Sequence, residues 1–294
     1  MPAFRATARE PRRRALLEIH LAVFLFGFPG LFGKWLAMSP FLIVLGRVFF
    51  AALALALLLA VRRQSFRISP GRDMALLVLC GLVLAVHWTM FFRSVQVSTV
   101  AVGLLSYSSF PVFTAFLEPL VSRERWDPRS LVFALLALGG VFLIVPRFEA
   151  GNAVFQGVLW GLGAGLTFAV LAVLNRRLAQ RHSSLTVAFY QDLYATAGLL
   201  PALFILPFRP GMRTLGLLAL LGVFGTAAAH ALFIKGMRYV PARTASILSA
   251  LEPVYGIALA WLFLRESPSP RTLAGGALIL AAALVVTAKA RRPS

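Results

Sequence analysis

Glu252 is an acidic side chain in the middle of a long, mostly apolar run, residues 242–264. Ser249 and Tyr255 lie three residues before and after it, and this spacing places the three side chains on one face of a helix. Because an acid is costly in an apolar environment, it is a candidate acceptor for a substrate ammonium group or for a coupling proton. The alternative is a structural acid that bonds a neighbouring helix beside Pro253.

Two histidines and a tyrosine form a second group of candidates. His87, which is followed by Trp88, lies in the third apolar run, and His230 lies in the eighth. Tyr107 belongs to a polar patch with the serines 106, 108 and 109, just before Pro111. These side chains could contact a cargo molecule, while hydrogen bonding between helices is the alternative role of the two histidines.

Three aromatic or amide side chains complete the candidate set: Phe28, Trp160 and Gln191. Phe28 and Trp160 could form apolar walls of a binding site. Arg47 and Asp192 are charges in two other apolar runs, and each must find a partner there. Their depths differ by several residues, so we do not pair them with each other.

The same inventory argues against two other classes of protein. An enzyme within the membrane would need a set of metal ligands or a nucleophile paired with a base. The four histidines form no HExxH motif, and Cys80 has no adjacent base. A channel would need a ring of like residues or a filter. We therefore expect neither catalysis nor a metal, and no cofactor.

The composition places these residues in a membrane. Hydrophobic residues make up 60% of the chain and charged residues 13%, against about 25% charged in soluble domains. The net charge of +19 comes from short basic clusters between apolar runs, which is a topological pattern rather than a surface for nucleic acid. A bilayer core of about 30 Å needs about 20 apolar residues per helix.

Cutting the chain into units of that length predicts an all-α integral membrane protein with ten transmembrane helices. The predicted spans are 15–36, 40–61, 73–95, 97–121, 128–146, 154–175, 184–207, 214–237, 242–264 and 270–289. The first apolar run is too long for a signal peptide, and no small-x-small cleavage site ends it, so we interpret it as an uncleaved span. The connections are short, which leaves no separate soluble domain.

An internal repeat divides these spans into five plus five. Residues 93–143 match residues 235–285 at an offset of 142 without a gap. The matches include Pro111 with Pro253 and the pair Arg123-Glu124 with Arg265-Glu266, which apolar composition alone would not align. The repeat predicts two five-helix halves, residues 15–146 and 154–289.

Charge predicts the orientation. If the N-terminus is cytoplasmic, Lys and Arg on the inner segments outnumber those on the outer segments roughly three to one, as the positive-inside rule requires. The arm at residues 1–14 and the tail at residues 290–294 are then both cytoplasmic. Because five is odd, the second half enters the membrane the other way up. An inverted repeat of this kind is typical of secondary transporters, which bind cargo near the midplane between the halves.

Two stretches carry a family resemblance. Residues 251–256, Leu-Glu-Pro-Val-Tyr-Gly, continuing to Leu264-Arg265-Glu266, resemble the penultimate helix of EamA-type carriers. Residues 109–113, continuing to Arg123-Glu124, resemble its counterpart in the first half. These carriers are the ten-helix members of the drug/metabolite transporter superfamily, which includes bacterial amino-acid exporters. The resemblance implies alternating access without ATP, and the sequence contains no Gly-rich loop that ends in Gly-Lys-Ser/Thr.

We therefore expect a secondary transporter of the inner (plasma) membrane that exports amino acids or related small metabolites, bulky apolar or aromatic amino acids among them. Export rather than uptake rests on the resemblance alone. The alternative is an exporter of cationic drugs or quaternary ammonium compounds. An aromatic box around an acid would favour that alternative, whereas a separate donor for a carboxylate would favour an amino acid. We expect a monomer in the lipid bilayer, with a small molecule as its only other partner and no nucleic acid.

Overall fold

Helices follow one another with short connections through the described part of the chain. The computed structural model describes residues 3–68, 71–122, 129–145, 147, 149–240, 245, 248–249 and 251–289. The first helices are α1 (Ala3–Phe26), α2 (Pro29–Trp35), α3 (Pro40–Val61), α4 (Arg72–Val97), α5 (Val100–Tyr107), α6 (Phe110–Ser122) and α7 (Arg129–Ile144). They are followed by α8 (Ala153–Ala179), α9 (Ser184–Leu199), α10 (Ala202–Ile205), α11 (Met212–Gly222), a π-helical turn (Val223–Ala228), α12 (Ala229–Gly236), α13 (Glu252–Leu264) and α14 (Pro270–Lys289).

Six helical stretches in the described ranges are long and apolar enough to cross a bilayer. They are Arg13–Trp35, Pro40–Val61, Arg72–Val97, Val100–Leu120, Ala153–Ala179 and Met212–Gly236. Two shorter helical stretches are also apolar, Val132–Ile144 and Glu252–Leu264. The chain is therefore an all-helical, multi-pass membrane protein. The count of ten spans stays a prediction, since part of the ninth, most of residues 241–250, lies outside the described residues.

Proline and glycine break two of the spans near their middle. The first span ends as α1 at Phe26 and resumes as α2 at Pro29, whose ring suits the first turn of a helix. The fourth span is interrupted between Tyr107 and Phe110, just ahead of Pro111. At these breaks backbone and side-chain polar groups lie inside the bundle, where an unbroken helix would present only side chains.

The packing of the helices has the same pattern when the two halves of the chain are exchanged. In the first half α4 packs on α8 and α9 of the second. The helices at the equivalent positions of the repeat make the same contacts with the two halves exchanged: α12 packs on α1, and α11 packs on α3. The helices α7 and α14, which are mates of each other, pack together. The interface between the halves is therefore built from equivalent surfaces.

A row of glycines on α8 forms part of this interface. Gly157, Gly161 and Gly165 all lie where α8 crosses α5. A Cβ added to Gly165 would stand 2.8 Å from the carbonyl oxygen of Tyr107, so any larger residue would push the helices apart. The GxxxGxxxG sequence thus serves helix packing and brings the Tyr107 break against the second half.

Labelling of single cysteines tests the inverted arrangement of the two halves. In a background lacking Cys80, a cysteine placed in the loop 123–129 is expected to react from the cytoplasmic side, and one in the loop 265–271 from the opposite side. The basis is the charge bias and the odd number of spans per half. The first loop lies almost wholly outside the described residues. Reaction of both cysteines with a membrane-impermeant maleimide from the same side would contradict the inversion.

Candidate functional site

Trp88 and His230 are equivalent residues of the two repeats, and their rings contact each other. The ring centroids are 6.1 Å apart, and both side chains are buried. Equivalent residues of two related halves can touch only where the halves meet, so this pair marks the centre of the bundle. The imidazole of His87 lies 4.8 Å from the Trp88 ring. The structure therefore brings these three predicted site residues together.

His87 is held by the second half of the chain. Its Nδ1 lies 2.9 Å from the carbonyl oxygen of Ala164 on α8. A carbonyl only accepts, so Nδ1 carries the proton and donates it, which leaves Nε2 as the acceptor nitrogen of the ring. This bond across the interface is the interhelical role that the sequence analysis kept as an alternative.

Tyr107 belongs to a packed aromatic cluster beside His87. Its ring lies 5.6 Å from the His87 ring, stacks at 5.4 Å on Phe110 and meets Phe168 edge-on at 5.4 Å. Such pairs each contribute about 0.5–1.5 kcal/mol beyond the burial of their area. The rings pack against one another, so in this conformation the cluster forms a wall of the core.

Arg47 is the central charge of the site, although the sequence analysis did not place it among the binding residues. Its side chain is fully buried. Its guanidinium carbon lies 3.5 Å from the centroid of the Trp88 ring, a cation–π contact that contributes about 2 kcal/mol when desolvated. Nε donates to the hydroxyl of Thr226 at 2.9 Å, and Nη2 donates to the carbonyl of Gly225 at 3.0 Å. Both acceptors lie in the π-helical turn, a feature that is frequent at functional sites.

One nitrogen of this guanidinium is left free. Nη1 of Arg47 is buried and has no hydrogen-bond partner among the described residues. A buried donor without a partner costs about 1–3 kcal/mol or more when charged. The signal in the sequence was the lone arginine of an apolar run. The sequence could not reveal that Arg47 lies at the interface between the two halves, where it contacts Thr226 and Gly225.

Two buried acids accompany Arg47. Asp192 on α9 and Glu252 at the start of α13 are both buried, and both interact electrostatically with Arg47. Within the described residues neither acid forms a direct salt bridge with it, and the two oxygens of Asp192 have no hydrogen-bond partner there. Glu252 also interacts electrostatically with Tyr107. The guanidinium of Arg47 and the carboxyl groups of two acids, each from a different span, therefore share the core of the bundle.

The remaining predicted residues divide into those near this core and those apart from it. Gln191 and His230 line one small internal cavity of about 10 Å³, roughly the space of a single water. Ser249 is buried, but its hydroxyl donates to the carbonyl of Ala245 in its own segment at 3.0 Å.

Three aromatic candidates lie elsewhere. Phe28 and Tyr255 both contact Phe24, at 5.3 Å and 5.5 Å between ring centroids, and together make a separate, half-buried cluster. Trp160 is 39% exposed. The structure does not bring Trp160 to the core, so an apolar wall from that side chain has no support in this conformation.

A large cavity opens at the end of the bundle that the charge bias assigns to the cytoplasm. It has a volume of about 750 Å³, within the range of about 300–1,000 Å³ that is usual for ligand pockets. Its walls come from α3, α9 and α12 together with the segments between them. Ala228, the last residue of the π-helical turn, also lines it. The cavity therefore reaches to within a few residues of the groups that hold Arg47. Because five basic side chains line it, we call it the basic cavity: Arg62, Arg67, Arg181, Lys235 and Arg238.

An ion pair joins the two halves at the opposite end of the bundle. Nζ of Lys34 lies 3.7 Å from a carboxylate oxygen of Glu266 and donates to the carbonyl of Ser98 at 2.7 Å. The other oxygen of Glu266 accepts from the backbone N–H of Val100 at 2.9 Å. These contacts join α2, the start of α5 and the segment before α14. The two halves are thus joined by polar contacts at this end, while the basic cavity lies at the other.

Known proteins with similar sequences are transporters. The EamA-like transporter family matches residues 13–145 and again residues 155–288. A pseudopaline exporter of Pseudomonas aeruginosa is 25% identical over 82% of this chain and 84% of its own length. An S-adenosylmethionine uptake transporter of Rickettsia bellii is 26% identical over 71% of each chain. A solved crystal structure is 22% identical and superposes with a TM-score of 0.67 over 95% of this chain and 98% of that one, a likeness of fold.

The two family matches fall on the two halves that the repeat divides, so each half is one copy of the same unit. The two matches cover nearly all of the chain, including the breaks in the first and fourth spans. They also include the buried core residues Arg47, His87, Trp88, Tyr107, Asp192, His230 and Glu252. The protein is not an enzyme. It moves a small molecule across a membrane, and the chain belongs to the EamA-like transporter family.

Proposed function

We propose that this protein is a secondary transporter of the inner (plasma) membrane, with both termini in the cytoplasm, that exports amino acids or related small metabolites by alternating access. The cargo binds where Trp88, His230 and Arg47 meet, between the two halves. Rocking of one half against the other then opens this place to each side of the membrane in turn. A single copy of the chain contains the whole site, so we propose that it works as a monomer.

The observation that carries the proposal is a buried guanidinium with a free donor in the same core as a buried carboxylate with free acceptors. Nη1 of Arg47 and both oxygens of Asp192 have no partner among the described residues. A zwitterion fits this arrangement, because its carboxylate accepts from the guanidinium and its ammonium donates to an acid. With one guanidinium and two acids in the core, one negative charge is in excess. A zwitterion has no net charge, so a coupling proton is left to neutralise the second acid.

The aromatic rings support the same cargo over the alternative. A quaternary ammonium ion is bound by aromatic faces around an acid. Here the face of Trp88 is already covered by the guanidinium of Arg47. The arginine supplies the separate donor for a carboxylate that distinguishes an amino-acid site from a site for a cationic drug.

The accessible side supports export as the proposed direction. One relative is named for export and another for uptake, so family membership favours neither. The basic cavity lies at the end that the charge bias places in the cytoplasm, where an exporter receives its cargo.

Counterflow in proteoliposomes tests the proposed function. We expect saturable exchange of radiolabelled amino acids, and none of tetraethylammonium, because the free donor of Arg47 recognises a carboxylate. Liposomes without protein provide the control. Exchange of tetraethylammonium alone would contradict the amino-acid assignment and favour the drug exporter.

A further inference from the structure

The basic cavity carries a charge pattern that the central site does not explain. Five basic side chains and one histidine line it: Arg62, Arg67, Arg181, Lys235, Arg238 and His182. They come from both halves of the chain and converge on one concave surface. Among the described residues that line the cavity there is no Asp or Glu. A cavity lined by one sign of charge concentrates ions of the opposite sign.

Most of this positive charge is uncompensated. Arg181 pairs with Asp73 at 3.2 Å, and Lys235 pairs with Glu18. Within the described part of the chain, Arg62, Arg67 and Arg238 form no ion pair. Three guanidinium groups are therefore available for a ligand, and guanidinium is the side chain that best matches a carboxylate.

The rest of the cavity's lining is uncharged. Leu58, Leu185 and Leu232 lie among its apolar lining residues, together with Ala228 and Ala231. Gln64, Ser65, Ser183 and Ser184 add hydroxyl and amide groups. A ligand with an apolar carbon skeleton and several anionic groups matches this mixed lining.

The positive-inside rule by itself does not account for the arrangement. That rule requires cations on the cytoplasmic segments, but it does not require them to share one cavity. Arg72 and Arg177 lie on the same side of the membrane and are not among the cavity's lining residues. The cations that line the cavity are therefore only some of the basic residues on that side, and Arg72 and Arg177 serve as matched controls.

We propose that the basic cavity is the capture site for a cargo with net negative charge, an amino acid or amino-acid derivative that carries at least one carboxylate beyond its α-carboxylate. This inference rests on the proposed function and narrows its cargo. The three free arginines hold the additional carboxylates at the cytoplasmic mouth. The cargo then moves past Ala228 towards Arg47, which takes one carboxylate in the central site.

Binding of radiolabelled citrate, a soluble tricarboxylate, tests the capture site without any need for transport. The protein is placed in nanodiscs of phosphatidylcholine, and citrate binding is measured by equilibrium dialysis. The R62Q/R238Q variant removes one cation from each half, and the R72Q/R177Q variant removes two from the same side outside the cavity. We expect citrate to bind about tenfold more weakly to R62Q/R238Q, since each screened charge pair contributes a few-fold. R72Q/R177Q is expected to stay within about twofold of the unmodified protein.

Two other results would overturn the capture site. One is equal weakening by both double variants, which would reduce the effect to the general charge of that membrane face. The other is binding of phosphatidylglycerol in nanodiscs that R62Q/R238Q abolishes, without binding of citrate, which would make the cavity a site for lipid headgroups.

Transport of glutamate and glutamine separates this inference from the proposed function. The two molecules have the same shape and differ by one carboxylate. In proteoliposomes R62Q/R238Q is expected to raise the KM for glutamate several-fold more than the KM for glutamine. Equal effects on both would contradict the capture site while the amino-acid assignment stands. Exchange of neither by the unmodified protein would contradict the acidic cargo, whereas only a lack of exchange for all the amino acids of the counterflow test would contradict the proposed function.

Discussion

Replacement of Arg47 by glutamine is expected to lower the rate of transport by about 100-fold or more. The loss of one partner of a buried, hydrogen-bonded charge pair costs about 2–5 kcal/mol, and the free Nη1 of Arg47 is the donor proposed for the cargo carboxylate. Arg47→Lys keeps the charge, but a lysine provides no planar fork to lie on Trp88 while it also bonds Thr226. We therefore expect Arg47→Lys to retain a small part of the activity. The measurement is counterflow in proteoliposomes with equal amounts of inserted protein.

A second variant separates binding from structure at this position. Arg47→Gln alone leaves Asp192 and Glu252 buried without their base, so a lower melting temperature is expected. The double variant R47Q/D192N removes one charge of each sign. It is expected to regain thermal stability and to remain inactive. Recovery of transport in the double variant would show that Arg47 only balances Asp192 and does not bind the cargo.

Replacement of Glu252 by glutamine is expected to abolish transport while the protein remains folded and inserted. Glutamine has the same shape and can donate a hydrogen bond, but it cannot carry the negative charge that attracts an ammonium group or take up a coupling proton. If the flux is coupled to protons, Glu252→Gln should also remove the acid limb of its pH dependence. The measurement is the initial rate of counterflow against pH.

The matched control for this change is Glu118→Gln. Glu118 pairs with Arg176 and is partly exposed, so its neutralisation costs at most about 1 kcal/mol. Its transport rate is expected to stay within about twofold of the unmodified protein. Normal transport by Glu252→Gln, together with a lowered melting temperature, would assign Glu252 to the structural role that remained open in the sequence analysis.

Much of the architecture could be predicted from the sequence because its causes are local or periodic. Runs of about 20 apolar residues predict membrane helices wherever they occur, and the offset of 142 residues reveals two copies of one unit without any coordinates. The break between Phe26 and Pro29 also has a local cause, since proline and glycine act on the backbone next to them. Glu252 stood out for the same reason, as a charge in an apolar run.

The partners of those charges were decided only by the tertiary structure. Arg47 and Asp192 lie on different helices, and their positions along the sequence suggested depths too different for a pair. The fold brings α3 against α9 and against the π-helical turn, so Arg47 reaches both acids electrostatically and donates to Thr226 and Gly225. Periodicity indicates which face of a helix is buried, but not which helix covers it.

The tertiary structure likewise separates basic residues that line the basic cavity from basic residues that do not. Along the chain, the predicted cytoplasmic charges include Arg62, Arg238, Arg72 and Arg177 alike. Their number is a property of the sequence, and the sequence also predicts their side of the membrane, because the positive-inside rule counts residues loop by loop. That Arg62 and Arg238 face one cavity, while Arg72 and Arg177 do not, depends on how distant segments of both halves pack, and this only the folded chain determines.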